Sequence, residues 1–372
     1  MNTFGNKFRV TVFGESHGER IGVVLDGVPA GLPLSADDFA ADLDRRRSGA
    51  RGTTSRHESD APHIVAGLYN GHTTGAPLAI EFDNGDTRSA DYASLADHPR
   101  PSHADFVAAH KFHGFNDPRG GGHFSGRLTL TLVAAGVVAK KMLAGITDPS
   151  APPSFPRTDE GVRAEPSSLE LCRATRKKSE EQRGNPLYKT PGPSGIEITS
   201  RIVSIGGSSD SAQFQGIIEA AMSAGDSVGG VIECTATGVP IGLGEPFFDS
   251  VESLASHLLF SIPAVKGVEF GNGFAAAALR GSQNNDPILA PDGRTATNNA
   301  GGIVGGITNG NPIVMRVAIK PTPSISQTQN TLNLLTGEIE PLEIKGRHDA
   351  CIALRAPVVV EAALAIALAQ LI

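Results

Sequence analysis

The chain has 372 residues, 40% of them hydrophobic and 19% charged, with a formal net charge of −7. That length allows one large or two ordinary domains around a substantial core. The negative balance argues against general nucleic-acid binding. The apolar stretches 128–143 and 358–372 are interrupted by lysines or by Glu361 and are too short to span a bilayer.

Phe8, Val10 and Val12 alternate with Arg9, Thr11 and Phe13, the period-2 pattern of a strand with one buried face. Gly14-Glu-Ser-His-Gly18 follows and fits the G-x-S-x-G pattern of a hydrolase nucleophile elbow, which would make Ser16 a nucleophile. The elbow requires a strand turning into a helix. Ile21–Leu25 is instead a short β-branched run closed by Asp26-Gly27, so strand, tight polar turn, strand is predicted. His17 then stands in a turn, where a side chain can reach a ligand.

Ser35-Ala-Asp-Asp38 opens a helix with a capping box, Phe39 and Leu43 lie on one face, and Gly49 can end it. Arg45, Arg46 and Arg47 occupy its last turn, where cations complement the helix dipole, and Arg51 and Arg56 continue into a Gly/Thr/Ser loop. The cluster reads either as a solvated charged face or as a lid for a polyanionic small molecule, because guanidinium groups grip carboxylate and phosphate bidentately.

Ser102-His103-Ala-Asp105 starts a second helix through Phe106, Val107 and His110. His110 and His113 have the i, i+3 spacing of a metal pair, but no third ligand is evident and surface histidines are the plainer reading. "RGGGHFSGR" (119–127) leads into an apolar helix to about Leu143. Residues 147–195, rich in proline and charge, read as a surface excursion. Beyond them the pattern predicts strands at 196–205, 231–238 and 312–319, and helices at 214–224, 250–259 and 357–372. Gly and Asn dominate from about 267 to 311, and glycine overall is 44 of 372 residues, which suggests backbone held close to ligands or to other backbone. No P-loop, no G-x-G-x-x-G between strand and helix and no fixed-period repeat is present. Cys172, Cys234 and Cys351 lie far apart with no C-x-x-C pair, and no basic-then-apolar leader is seen, which fits a reducing cytoplasm.

In order along the chain, "FGESHGERIGVVLDGVPAG", "LDRRRSGARGTTSR", "HPRPSHAD", "RGGGHFSGRLTLTLVAAGVVAKKML", "GDSVGG", "SIPAVKGVEFGNGF", "GGIVGGITNG", "KPTPSI" and "KGRHDACIALRAPVVVEA" resemble the chorismate synthase family. The resemblance spans nearly the whole chain, residues 147–195 excepted. It implies an α/β fold of the α+β kind, a β-α-β sandwich with helices between antiparallel sheets, as a single domain over 1–372 in a homotetramer. The implied activity is that of a carbon–oxygen lyase. It forms chorismate from 5-enolpyruvylshikimate 3-phosphate by anti-1,4-elimination of phosphate, with reduced FMN acting catalytically.

Motif matching carries roles onto residues of this chain. His17 matches the acid beside the leaving phosphate, His103 the residue that protonates reduced flavin, and Asp349 the carboxylate that assists the final deprotonation. Arg46, Arg47, Arg51, Arg100, Ser125, Arg127 and Arg347 match substrate-binding positions. His123, Phe124, Ser125, Pro263, Ala264, Gly305, Lys320, Pro321, Thr322, Pro323, Ser324 and Arg347 match flavin contacts; no metal is implied. Family members that reduce their own flavin with NADPH carry extra sequence, so this chain is expected to draw reduced FMN from an external, NADPH-dependent flavin reductase. Neither nucleic acid nor membrane is an expected partner. The chain departs from the commonest family pattern at His123, Phe124, Gly126 and Leu128, and carries Ser102 where members usually have glycine.

Overall fold

A computed structural model describes residues 1–89, 95, 97–144 and 195–372. The excursion expected at 147–195 lies outside the described residues apart from Gly195. The alternation at the N-terminus becomes antiparallel sheet: β1 (Thr3–Phe4), β2 (Arg9–Gly14) and β3 (Arg20–Asp26), with Val10 opposite Leu25 and Val12 opposite Val23. β4 (His63–Ala66) and β5 (Leu78–Asp83) complete five strands in the order β1-β2-β3-β5-β4. In β5, Leu78, Ile80 and Phe82 are buried and the residues between them are not, as a pleated strand with one core face requires. A second antiparallel sheet, ordered β8-β9-β7-β6, is built from β6 (Glu197–Ile205), β7 (Gly230–Thr237), β8 (Val265–Phe270) and β9 (Ile313–Ile319).

The helices are α1 (Asp37–Arg46), α2 (Asp105–Lys111), α3 (Thr129–Ala144), α4 (Phe214–Ser223), α5 (Val251–Ser261), the short α6 (Gly281–Asn284) and α7 (Pro357–Gln370). α3 packs on β2 and β3, α7 packs on β6 and β7, and the two pack on each other, so the helices lie between the sheets. Both are apolar around nearly their whole circumference, which is stable only for a helix without a solvent face. At their crossing a Cβ on Gly136 would lie 2.3 Å from the Ala362 Cβ, so glycine is what lets the helices close. The one carboxylate in α7, Glu361, is 1% exposed. Arg45 (2.6 and 2.8 Å), Lys140 (3.0 Å) and Ser200 (2.7 Å) satisfy it, as a buried charge demands.

The elements read from the sequence are found to within two or three residues, whereas β4, β5 and β8 were not among them. The capping box at α1 is half made: the Asp38 carboxylate accepts from the Ser35 backbone N–H at 2.7 Å, while the Ser35 hydroxyl donates to that carboxylate and caps no backbone N–H.

Candidate active site

Loops from both sheets meet at a cavity of about 750 Å³, within the range of small-molecule sites, about 300–1,000 Å³. Its wall draws on the β2–β3 turn, the loop after α1, the approach to α2, the glycine segment before α3, Pro263 and Ala264 after α5, the 320–324 segment after β9 and the 347–349 loop.

The turn at 14–18 places His17 on this wall, its Nδ1 3.1 Å from the Ser89 hydroxyl. Gly120, Gly121 and Gly122 all have positive φ (60°, 84° and 52°); Gly120 lines the cavity and Gly121 and Gly122 are buried behind it. A Cβ on Gly120 would lie 2.6 Å from His17, and one on Gly121 would lie 3.3 Å from His103, so two adjacent glycines let one turn face both histidines. Burial lowers the His17 pKa, and the Arg56, Arg119 and Arg347 guanidinium groups lower it further against the opposing pull of Asp117. Ser16 is 1% exposed and its hydroxyl accepts from Arg56 at 2.9 Å. A buried hydroxyl held by a cation is not presented to an ester, and nothing here supports the nucleophile-elbow reading.

His103 is held through Nδ1 by Asp105 at 2.6 Å, and Arg100 grips the same carboxylate with Nε and Nη2 at 2.7 and 2.8 Å. Burial lowers the His103 pKa and Asp105 partly opposes it. For Asp105 burial pulls upward, but the bonds from Arg100 and His103 win and hold the carboxyl well below its usual range. Asp349 accepts from the Thr54 backbone N–H at 2.8 Å and from Arg355 at 3.1 and 3.2 Å. Arg347 forks onto Asp86 at 2.5 and 3.0 Å, and this bond is the main reason the Asp86 carboxyl lies well below the ordinary range.

The arginines separate by environment. Arg46 (3% exposed) and Arg127 (6%) line the cavity floor yet are committed inside the protein. Arg46 donates to the Gly126 and Arg127 carbonyls, and Arg127 pairs with Asp60 and with Asn84 at 2.9 Å. Burial, with Arg355 and Arg127 close by, pushes the Arg46 pKa well down. Arg47 turns to Asp44 (2.7 Å) and Arg51 to Glu219 (3.1 Å), and neither lines the cavity. Gly305 and Pro321 also stand off the wall, whereas His123, Phe124, Ser125, Pro263, Ala264, Lys320, Thr322, Pro323 and Ser324 line it. His123 donates through Nδ1 to the Gly14 carbonyl at 2.8 Å, and Lys320 donates to the Ser102 carbonyl at 2.7 Å.

Sequence reasoning assigned no role to Arg88 or Arg355 and placed Arg56 only within the arginine cluster; all three are on the wall. Arg355 stands inside "KGRHDACIALRAPVVVEA", so a signal was present. Ser102 takes φ +57°, which explains why glycine suits that position and leaves this serine strained. Among the described residues no group of three or more His, Cys, Asp or Glu is arranged to hold a metal.

Comparison with known proteins shows the family to which the chain belongs. The family model for chorismate synthase matches residues 8–372. The chain is 53% identical over 370 residues to the chorismate synthase of Chitinophaga pinensis, covering 100% of this chain and 96% of that protein. It is 44% identical to that of Korarchaeum cryptofilum over 99% and 96% of the two chains. A crystal structure of chorismate synthase superposes with a TM-score of 0.65 at 27% identity, over 99% of this chain and 92% of the other.

Proposed function

This chain belongs to the chorismate synthase family and is a lyase, and we propose that its cavity takes 5-enolpyruvylshikimate 3-phosphate beside reduced FMN and eliminates phosphate to give chorismate. The observation that carries this reading is that His17, His103 and Asp349, far apart in sequence, border one arginine-rich cavity.

The wall fits a flavin mononucleotide. Lys320 offers a cation to its phosphate, Gly120 and Ala264 (φ +75°) bring backbone to the surface without a crowding side chain, and Phe124 and Pro263 supply apolar area. His123, Ser125, Thr322, Pro323 and Ser324 would complete the contacts. When bound, reduced FMN supplies electron density as phosphate leaves and recovers it as the ring hydrogen departs.

The rest falls to this chain's own residues. The substrate brings about four negative charges at neutral pH, and Arg56, Arg88, Arg100, Arg347 and the buried pair Arg46 and Arg127 set a positive potential for it. His17 is largely neutral in the free protein because burial and arginines disfavour its charge. A phosphate beside it reverses that balance, so the ring gains the proton that it then gives to the leaving oxygen. His103 supplies the proton balance on the flavin side. Asp349, oriented by Thr54 and Arg355, accepts the departing hydrogen as a proton.

The homotetramer reading is supported by an apolar surface around the Gly/Asn-rich segment. Phe274 (86% exposed), Ile288 and Leu289 stand out of that segment and Phe247 (85%) and Phe248 (90%) out of the turn before α5, large apolar side chains that a subunit contact would cover. No described helix is long and apolar enough to cross a membrane. A cytoplasmic enzyme fed with reduced FMN by a separate NADPH-dependent reductase is the setting we propose. The deciding experiment is anaerobic turnover of 5-enolpyruvylshikimate 3-phosphate with chemically reduced FMN: chorismate should exceed flavin many times over. No chorismate under those conditions, or one reductant consumed per product, would sink the reading.

A further inference from the structure

The His103 ring is held by a carboxylate that is itself fully engaged. Asp105 Oδ1 lies 2.6 Å from His103 Nδ1 and also accepts from Arg100 Nη2 at 2.8 Å. Oδ2 accepts from Arg100 Nε at 2.7 Å and from the Arg100 backbone N–H at 3.2 Å. Arg100 Nη1 then donates to Ser324 Oγ at 3.0 Å, which ties the start of α2 to the segment after β9. An ionised carboxylate only accepts. The proton of the neutral ring must therefore sit on Nδ1, which leaves the lone pair on Nε2; the ring lines the cavity, and its Cε1–Nε2 edge rests against the buried Gly121.

We propose that Asp105 is the positioning residue for His103: it fixes the Nδ1–H tautomer and the ring plane, so that Nε2 is the atom that takes and gives the proton, while Arg100 holds the carboxylate in register. The proposal rests on the reading of His103 as a proton-transfer residue given above. Three charged groups face the ring. Asp105 favours its protonation, while Arg100 from the same loop and Lys320 at the end of β9 disfavour it. Because Arg100 offsets the Asp105 charge, the carboxylate orients the ring without locking a proton onto it, and an anion entering the cavity favours protonation at Nε2. A similar division of labour, orientation by a buried aspartate and transfer through the far nitrogen, serves hydrolytic triads.

Nitrogen-15 spectra of the wild-type histidine side chains, assigned with His103→Gln, test this directly. His103 should be protonated on Nδ1 in its neutral form. An Nε2–H tautomer overturns the proposal whatever the activity. In Asp105→Asn, either amide orientation sets an NH₂ against an Arg100 N–H, so the ring should lose its fixed tautomer, its pKa should fall, and kcat should drop about 10²-fold or more with little change in KM. Asp105→Glu should recover part of the loss. Unchanged His103 titration and tautomer in Asp105→Asn would overturn the assignment even if activity fell. Full turnover in His103→Ala would instead remove the chemistry assigned to His103, a failure that the wild-type tautomer measurement distinguishes from failure of the positioning role.

Discussion

Substituting Gly120 by alanine should damage catalysis out of proportion to the methyl group added. The Cβ would lie 2.6 Å from both Cδ2 and Nε2 of His17 and 2.9 Å from the Ser16 hydroxyl, where ordinary contact starts near 3.4 Å. The ring must therefore retreat by about 0.8 Å (3.4 − 2.6) while its other nitrogen is tethered to Ser89 at 3.1 Å. A misplacement near 1 Å costs about 10²-fold when a group must meet a reacting atom in line, so kcat should fall about 10²-fold. A second, separable cost comes from the backbone. At φ +60° an alanine is strained by about 1–3 kcal/mol, which a urea melt will read as lost stability. Gly216→Ala, on the exposed face of α4 away from the cavity, is the control: nothing lies within 4 Å of the added Cβ and φ is not positive, so the change should stabilise by about 0.4–1 kcal/mol and leave kcat alone. Anaerobic steady-state kinetics with reduced FMN decide the matter. A Gly120→Ala enzyme with wild-type kcat would refute the claim that this glycine exists to seat His17.

Ser102→Gly removes a side chain at φ +57° while keeping the carbonyl that Lys320 uses, so it should raise stability by about 1 kcal/mol in thermal melts; a loss would contradict the strain argument. Arg127→Ala leaves Asp60, 2% exposed in its side chain, without its principal partner, and should cost about 3–5 kcal/mol in urea unfolding, whereas a cost below 1 kcal/mol would place the pair outside the buried network. Binding of the polyanionic substrate should take up protons near and below pH 6.5, because His17 and His103 start with lowered pKa values and an anion raises them. Calorimetry in buffers of differing ionisation heat measures this uptake, and proton release would reverse the sign of the argument. The same two lowered values mean that the unfolded state binds more protons than the free folded protein just below pH 6.5, so stability should decline as pH falls through that window, and less so in His17→Ala.

What could be read from the sequence was what depends on neighbours along the chain. The strand–turn–strand at 8–26 and the buried helices α3 and α7 follow from periodicity alone, since one apolar face in two, or apolar residues all round, leaves a single way to be buried. His17, His103 and Asp349 were reached by family resemblance, and all three do border one cavity. The arginines were not legible in the same way. Arg45, Arg46 and Arg47 are consecutive, yet their guanidinium groups end on Glu361, on the carbonyls of residues 126 and 127, and on Asp44. A long flexible stem of three methylenes lets the tertiary partner, not the position in sequence, decide where each guanidinium lies. The glycine turn makes the same point from the other side. Its letters announce close approach without saying to what, and only the fold shows that Gly120 faces a histidine from residue 17 and Gly121 one from residue 103. Asp105 lies between these cases. It was visible as part of the signal that starts α2, but its role follows from the Arg100 fork and the Nδ1 bond, which turn an ordinary helix-start carboxylate into the group that decides which nitrogen of His103 faces the cavity.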